Sequence, residues 1–202
     1  MRIKRRLSII EAAKTVFSHQ GFEQSTMQEI ATEANLGIAT IFRYFPKKEH
    51  LIVAVASQIV ESEVNGFEEI VHGQGTCFDK LERIFDFMNF QQIKDQNNSK
   101  LIEAFECYVA LSKEPLEDIQ LYKAQYDKLI NLFSKLAELG ELDGSIRKDN
   151  DTVDTLITML HVFGNFSKKM SMLSGIDAFH TQVDPFEQFR ILKNLFLEQL
   201  KP

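Results

Sequence analysis

The residues most able to do chemistry are gathered between Thr26 and Lys48, and their types suit the holding of anions. Thr26 stands three places before Glu29, the spacing of a capping box that opens a helix and satisfies its free backbone N–H groups. Arg43 and Tyr44 follow, then Lys47 and Lys48 at the head of a long helical pattern. Cations at a helix N-terminus oppose the macrodipole and cost around 0.3–1 kcal/mol at a surface. A bound anion removes that objection; two solvated lysines would simply tolerate it.

Other candidate groups are weaker. Glu69-Ile70-Val71-His72 matches the Glu-x-x-His of helical di-iron sites, which need a second such motif and two further glutamates. No second copy exists, and His72 adjoins Gly73 at a helix end. His19, His50, His161 and His180 are isolated, and no phosphate loop, His-Glu-x-x-His or nucleophile elbow occurs. Cys77 and Cys107 fit neither a disulfide framework nor a metal spacing and are expected to be buried thiols. We therefore expect no catalytic residue, no metal and no cofactor. A di-iron helical enzyme is a remote alternative.

The elements that must position Thr26 to Lys48 are short. Ile30, Ala31 and Ala34 form the apolar stripe of one short helix, and Asn35-Leu36-Gly37 breaks it, because Asn and Gly tolerate a left-handed backbone. Residues 38–45 form a second, with Ile41 and Phe45 on one side, and Pro46 ends it. Helix, three-residue turn, helix is the geometry of a helix-turn-helix. Before it, residues 2–20 read as one helix ended by Gly21, with Ile9, Ala12, Ala13, Val16 and Phe17 buried. Phe22 is expected to pack with Phe17, Ile30 and Ile41.

The remaining pattern is helical throughout. Helices are expected over 48–71, 78–93, 100–112, 115–139, 152–173 and 185–200, with 72–76 and 94–99 as loops. The expected class is all-α, divided into a head over 1–47 and a body over 48–202. Net charge is −6, but residues 1–60 carry +3 and the remainder −9. A basic part on an acidic body suits a local nucleic-acid footprint, against the alternative of a chance imbalance. Arg2, Lys4, Arg5 and Arg6 form a basic arm that either touches nucleic acid or is an ordinary solvated terminus. Glu11 and Lys14 interrupt the apolar stretch that a signal peptide would need after that arm, and no segment approaches the ~20 apolar residues of a membrane span. A cytoplasmic location is expected.

One pattern is closer than these generic descriptions. Thr26…Ile30-Ala31, then Gly37-Ile38-Ala39-Thr40-Ile41-Phe42-Arg43-Tyr44-Phe45-Pro46-Lys47-Lys48-Glu49…Leu51, resembles the N-terminal domain of the TetR family of bacterial transcriptional regulators. Ile9-Ile10-Glu11-Ala12-Ala13…Phe17…Gly21-Phe22 extends the resemblance, which covers about the first quarter of the chain. It implies double-stranded operator DNA as a partner. Thr26 and Tyr44 would then donate to phosphates and Lys48 would supply a charge, while Ile38, Ala39, Thr40 and Arg43 face base edges. Lys47 stands where the family often has a polar cap. Phe42 lacks the hydroxyl of the family's usual tyrosine. Met27 stands where some relatives place a base-reading side chain.

The resemblance also implies a homodimer that represses transcription until a small apolar or amphipathic effector, of unknown identity, enters the body. Phe85, Met88, Phe105, Tyr108, Tyr126, Phe163 and Phe166 are candidate lining, although an aromatic at helical spacing is usually core. Apolar residues surround the 152–173 helix on more than one side, so it needs either a partner beyond its own core or a monomer with a thick core, and the resemblance implies that the last two helices pair with their symmetry mates. Leu156, Leu160, Phe163, Phe189, Leu192 and Phe196 are the expected interface. A ligand-independent helix-turn-helix regulator, or an activator, is the alternative.

Overall fold

The computed structural model describes residues 2–148, 151–173 and 184–202; His180 lies outside them. Among the described residues the regular structure is helical: α1 Arg2–Gln24, α2 Met27–Glu33, α3 Ile38–Tyr44, α4 Lys48–His72, α5 Cys77–Lys94, α6 Gln96–Leu111, α7 Ile119–Asp143, α8 Thr152–Leu173 and α9 Pro185–Leu200. They fall into two compact units, Met1–Ser62 with Lys100–Tyr126, and Glu63–Ser99 with Asp127–Pro202.

The first unit closes over Ile9, Ile10, Ala13, Phe17, Phe22, Ile30, Ile41, Phe45 and the apolar run 51–56. Phe17 and Phe22 meet edge to face at 5.1 Å, which Gly21 makes possible by leaving the helical conformation at φ 77°. The start of α1 at Arg2 makes the basic arm helical rather than extended. Asn35 alone adopts the left-handed backbone of the turn (φ 55°), while Gly37 is extended (φ −69°) and begins α3 without a side-chain cap.

In the same unit, α7 begins at Ile119 and not at the expected Pro115. Asp118 turns left-handed (φ 64°), and Glu117 is drawn out of any first turn by Lys47 and by His50, whose Nε2 lies 2.9 Å from its carboxylate. The chain from 100 also departs from expectation. α6 starts at Gln96, and only Asp95 separates it from α5, its carboxylate accepting from the Asn98 N–H at 3.3 Å. Polar residues that read as a loop are here a cap. Cys107, expected to be buried, is exposed on α6.

The second unit packs α5, α8 and α9 around Phe67, Leu81, Phe85, Phe133, Leu136, Leu156, Leu160, Phe163 and Phe189. A capping box of Thr76 and Asp79 opens α5, whose next donors reach Asp143 (Cys77 N–H, 2.7 Å) and Ser145 (Phe78 N–H, 3.1 Å). α7 runs past Leu139 to Asp143 with Gly140 buried inside it. A Cβ at Gly140 would lie 2.4 Å from the Ile146 side chain and 3.0 Å from the Cys77 sulfur, so the glycine is there for close approach rather than as a breaker.

Candidate nucleic-acid interface

The outer face of α3 follows from which side chains the small core takes. Ile41 and Phe45 are fully buried, which leaves Ala39, Phe42 and Arg43 exposed and Ile38, Thr40 and Tyr44 half-buried. Ala39 and Arg43 are one turn apart and lie on the same side. Arg43 holds its guanidinium over the Tyr44 ring, 5.8 Å from the centroid, and the Tyr44 hydroxyl has no hydrogen-bond partner among the described residues. Phe42, passed over in the sequence because it has no hydroxyl, is 46% exposed. An apolar ring at that position can meet a thymine methyl. Its signal in the sequence was a large apolar residue on the polar face of a short helix.

α2 is held in place by the expected capping box. The Thr26 hydroxyl accepts from the Glu29 N–H at 3.2 Å and donates to the Glu29 carboxylate at 2.8 Å, which also takes the Thr26 N–H at 2.8 Å. These hydrogen bonds hold the Glu29 carboxyl below its ordinary value. Thr26 is exposed, but its own hydroxyl proton is already committed to Glu29. Met27 is half-buried against the first core.

The two lysines have different occupations. Lys47 is exposed and paired with Glu117, which raises the lysine above its ordinary range and lowers the glutamate. Lys48 is half-buried and donates to three backbone carbonyls, of Phe22 at 2.6 Å, Ser25 at 2.9 Å and Glu23 at 3.2 Å. An ammonium has three protons, so all are placed. Those carbonyls belong to the end of α1 and the corner after it, where a cation is favourable. This accounts for a lysine at the start of α4 without any phosphate. In this arrangement the Lys48 charge ties α4 to the α1–α2 corner.

Of the basic start of α1, Arg6 stacks over the Phe45 ring at 5.0 Å, whereas Arg2 and Arg5 line a cleft of about 470 Å³ together with Arg43 and Tyr44.

The candidate lining residues are divided between the two units. Phe105, Tyr108 and Tyr126 are in the first unit, with Phe105 stacked on Tyr122 at 4.7 Å. Phe85, Met88, Phe163 and Phe166 are in the second, where Phe85 and Phe163 are buried and 5.0 Å apart. Residue type alone does not distinguish core from lining. The expected dimer residues also pack within the protomer. Leu156, Leu160, Phe163 and Phe189 are fully buried in the second core, and Leu192 and Phe196 pack against it. Among the described residues, the large apolar side chains left outside on α8 and α9 are Val162, Phe186, Ile191 and Leu195. Glu69 and His72 are both exposed at the end of α4, and the His72 Nδ1 lies 2.9 Å from the Glu68 carbonyl.

Known proteins place this geometry. Residues 9–55 match the model of bacterial regulatory proteins, tetR family. The HTH-type nicotine-responsive transcriptional repressor HdnoR of Paenarthrobacter nicotinovorans is 26% identical over 56% of this chain and 57% of its own length. The fatty acid metabolism regulator protein of Bacillus subtilis is 22% identical over 82% of this chain and 81% of its own. In fold, the chain resembles FadR of Bacillus halodurans (TM-score 0.77, 18% identity, covering 96% of this chain and 94% of that one) and FadR of Bacillus subtilis in complex with stearoyl-CoA (0.74, 18%, 96% and 98%). Among the described residues no helix is long and apolar enough to cross a membrane. The matched residues are those that bury Ile41 and Phe45 and turn Ala39 and Arg43 outward, and they give this chain an N-terminal domain of the bacterial regulatory proteins, tetR family, type.

Proposed function

We propose that this regulator is a cytoplasmic, non-catalytic repressor that binds a palindromic operator as a homodimer and is released by a small-molecule effector. The observation that carries the reading is the outward face of α3. Arg43 suits a bidentate contact to guanine, Ala39 and Phe42 suit thymine methyls, and Ile38 and Thr40 flank them. Tyr44, with its hydroxyl unpaired, suits a neighbouring phosphate, as does Thr26 at the start of α2 once its proton leaves Glu29. Residues 1–47 carry this reading head and 48–202 the part that senses and dimerises.

Two heads on a two-fold axis would read half-sites about 34–36 Å apart, or a multiple of it. The effector is inferred to be apolar or amphipathic. What supports this is the aromatic second core and the likeness to regulators of fatty-acid metabolism, one of which holds stearoyl-CoA. The cleft lined by Phe85, Asn89, Phe163, Phe189 and Lys193 is about 200 Å³, below the roughly 300 Å³ at which drug-sized ligand sites begin. An effector there must move Phe85 or Phe163, and such a ligand shifts the protein only by preferring the moved arrangement.

Selection of bound sequences from random duplex DNA at near-physiological salt tests the reading. An enriched palindrome is expected. A folded protein that enriches no sequence, with or without candidate effectors, contradicts it.

A further inference from the structure

Three arginines line one cleft at the start of α1. Arg2 and Arg5 stand one turn apart on that helix and line a space of about 470 Å³ with Arg43 and Tyr44 of α3. None of the three arginines has an acidic partner among the described residues. The first turn of α1 holds no acidic residue, so nothing offsets cations placed at the positive end of its dipole. The neighbouring Arg6 stacks on the Phe45 ring and does not line the cleft. Exposed like charges around one concavity repel only weakly through solvent, and together they set up a positive potential that favours an anion there. A planar fork of donors matches a phosphate oxygen pair better than any other common anion except a carboxylate.

We propose that Arg2 and Arg5 form a seat for a backbone phosphate of the duplex, beside the base step that Arg43 reads. The proposal rests on the operator-binding reading above. The occupant is a DNA phosphodiester rather than a free anion because two of the four lining residues belong to the reading helix itself, whose outer face carries Ala39 and Phe42. The cleft therefore extends the contact from α3 onto α1 and sets the register of the head along the strand. Lys4 and Arg6 do not line it, so the basic start of α1 divides into two seat residues, one exposed charge and one packing residue.

The test is the salt dependence of binding by the full chain carrying Arg2→Ala and Arg5→Ala together, measured on the selected palindrome and on an unrelated duplex of equal length. Loss of one neutralised phosphate should reduce the slope of log affinity against log salt by about 1 per bound head, on both duplexes, with the selected sequence unchanged. Arg43→Ala should instead relax one position of the selected sequence. Both α1 side chains are exposed, so an unchanged thermal melt is expected and confirms that the variant is folded. An unaltered slope on both duplexes overturns the seat. So does calorimetric titration of DNA-free protein with inorganic phosphate, if it shows saturable millimolar binding that the variant loses, since that reassigns the cleft to a free anion. Should the parent select no sequence at all, the operator reading falls. The slope on the unrelated duplex would still decide whether α1 meets backbone phosphate.

Discussion

A lysine at the start of a helix can face either an anion outside the protein or carbonyls within it, and the two roles predict opposite measurements. Lys48 is in the second situation, with three carbonyls at 2.6, 2.9 and 3.2 Å. Lys48→Met keeps the stem and removes the charge, leaving the Phe22 and Ser25 carbonyls without that donor. Hydrogen bonds to charged groups contribute about 1.5–3 kcal/mol, so with water partly replacing the ammonium a loss near 2 kcal/mol is expected in thermal or denaturant unfolding. The salt slope of DNA binding should stay at the parent value. A slope reduced by about 1 per head with unchanged stability would return Lys48 to the phosphate. Glu63 offers a second residue-scale measurement. It is half-buried in α4, and burial pushes its carboxyl from 4.5 up to about 7, only partly opposed by Lys168. Between those two values the unfolded chain has released the proton and the folded chain keeps it. Stability therefore falls as pH rises from 4.5 to about 7, and the full penalty persists above. Glu63→Gln should stabilise by at most about 3 kcal/mol near pH 8 and by little near pH 4. Equal gains at both pH values would mean that the charge is not the cause.

Helix boundaries show what a sequence carries and what it cannot. The head was legible almost residue by residue, because its signals are local: Thr26 with Glu29, Asn35 at the turn, Pro46 after α3. α8 and α9 also begin and end where periodicity places them. The errors fall where a distant partner decides. Pro115 looks like a helix start, yet α7 waits until Ile119 because Glu117 is taken by Lys47 and His50, some 70 positions earlier. Gly140 looks like a helix end, yet α7 continues through it because Ile146 and Cys77 leave no room for a side chain. A helix apolar on several sides, such as α8, does not say which side its own unit will cover, and only the fold shows that Phe163 is covered and Val162 is not. Gly140→Ala tests the packing account at this scale. Ala has the better helix propensity by about 0.8–1 kcal/mol, so an exposed helical glycine would gain stability on substitution. Here a Cβ 2.4 Å from Ile146 must displace it, and overpacking costs typically 1–3 kcal/mol. A net loss of stability is expected, and Ile146→Val in the same chain should recover part of it. A more stable Gly140→Ala protein would show that the glycine is a tolerated accident.

At the scale of the whole molecule, the proposed homodimer requires an apolar surface that joins two copies. The operator reading needs a two-fold dimer, and an isologous contact must be made by side chains that each protomer leaves outside. Ile191 and Leu195, one turn apart on α9, are 45% and 61% exposed, and Val162 on α8 is 44% exposed. Phe163, by contrast, is 1% exposed and stacked between Phe85 at 5.0 Å and Phe189 at 5.7 Å. The two positions therefore make a discriminating pair. Leu195→Glu places a carboxylate in the contact and should yield a folded monomer by sedimentation, with an unfolding curve that no longer depends on protein concentration. Its affinity for a full palindrome should fall to that of a single head on a half-site, because the second head no longer arrives tethered to the first. Phe163→Ala should behave in the reverse way, losing about 3–5 kcal/mol of stability through its cavity while remaining dimeric wherever it is folded. If Phe163→Ala dissociates the dimer and Leu195→Glu does not, the residues first expected from sequence are the interface, and the protomer core must open to form it. The described geometry argues against that outcome: exposing Phe163 would also uncover Phe85 and Phe189, three rings whose burial holds α5, α8 and α9 together.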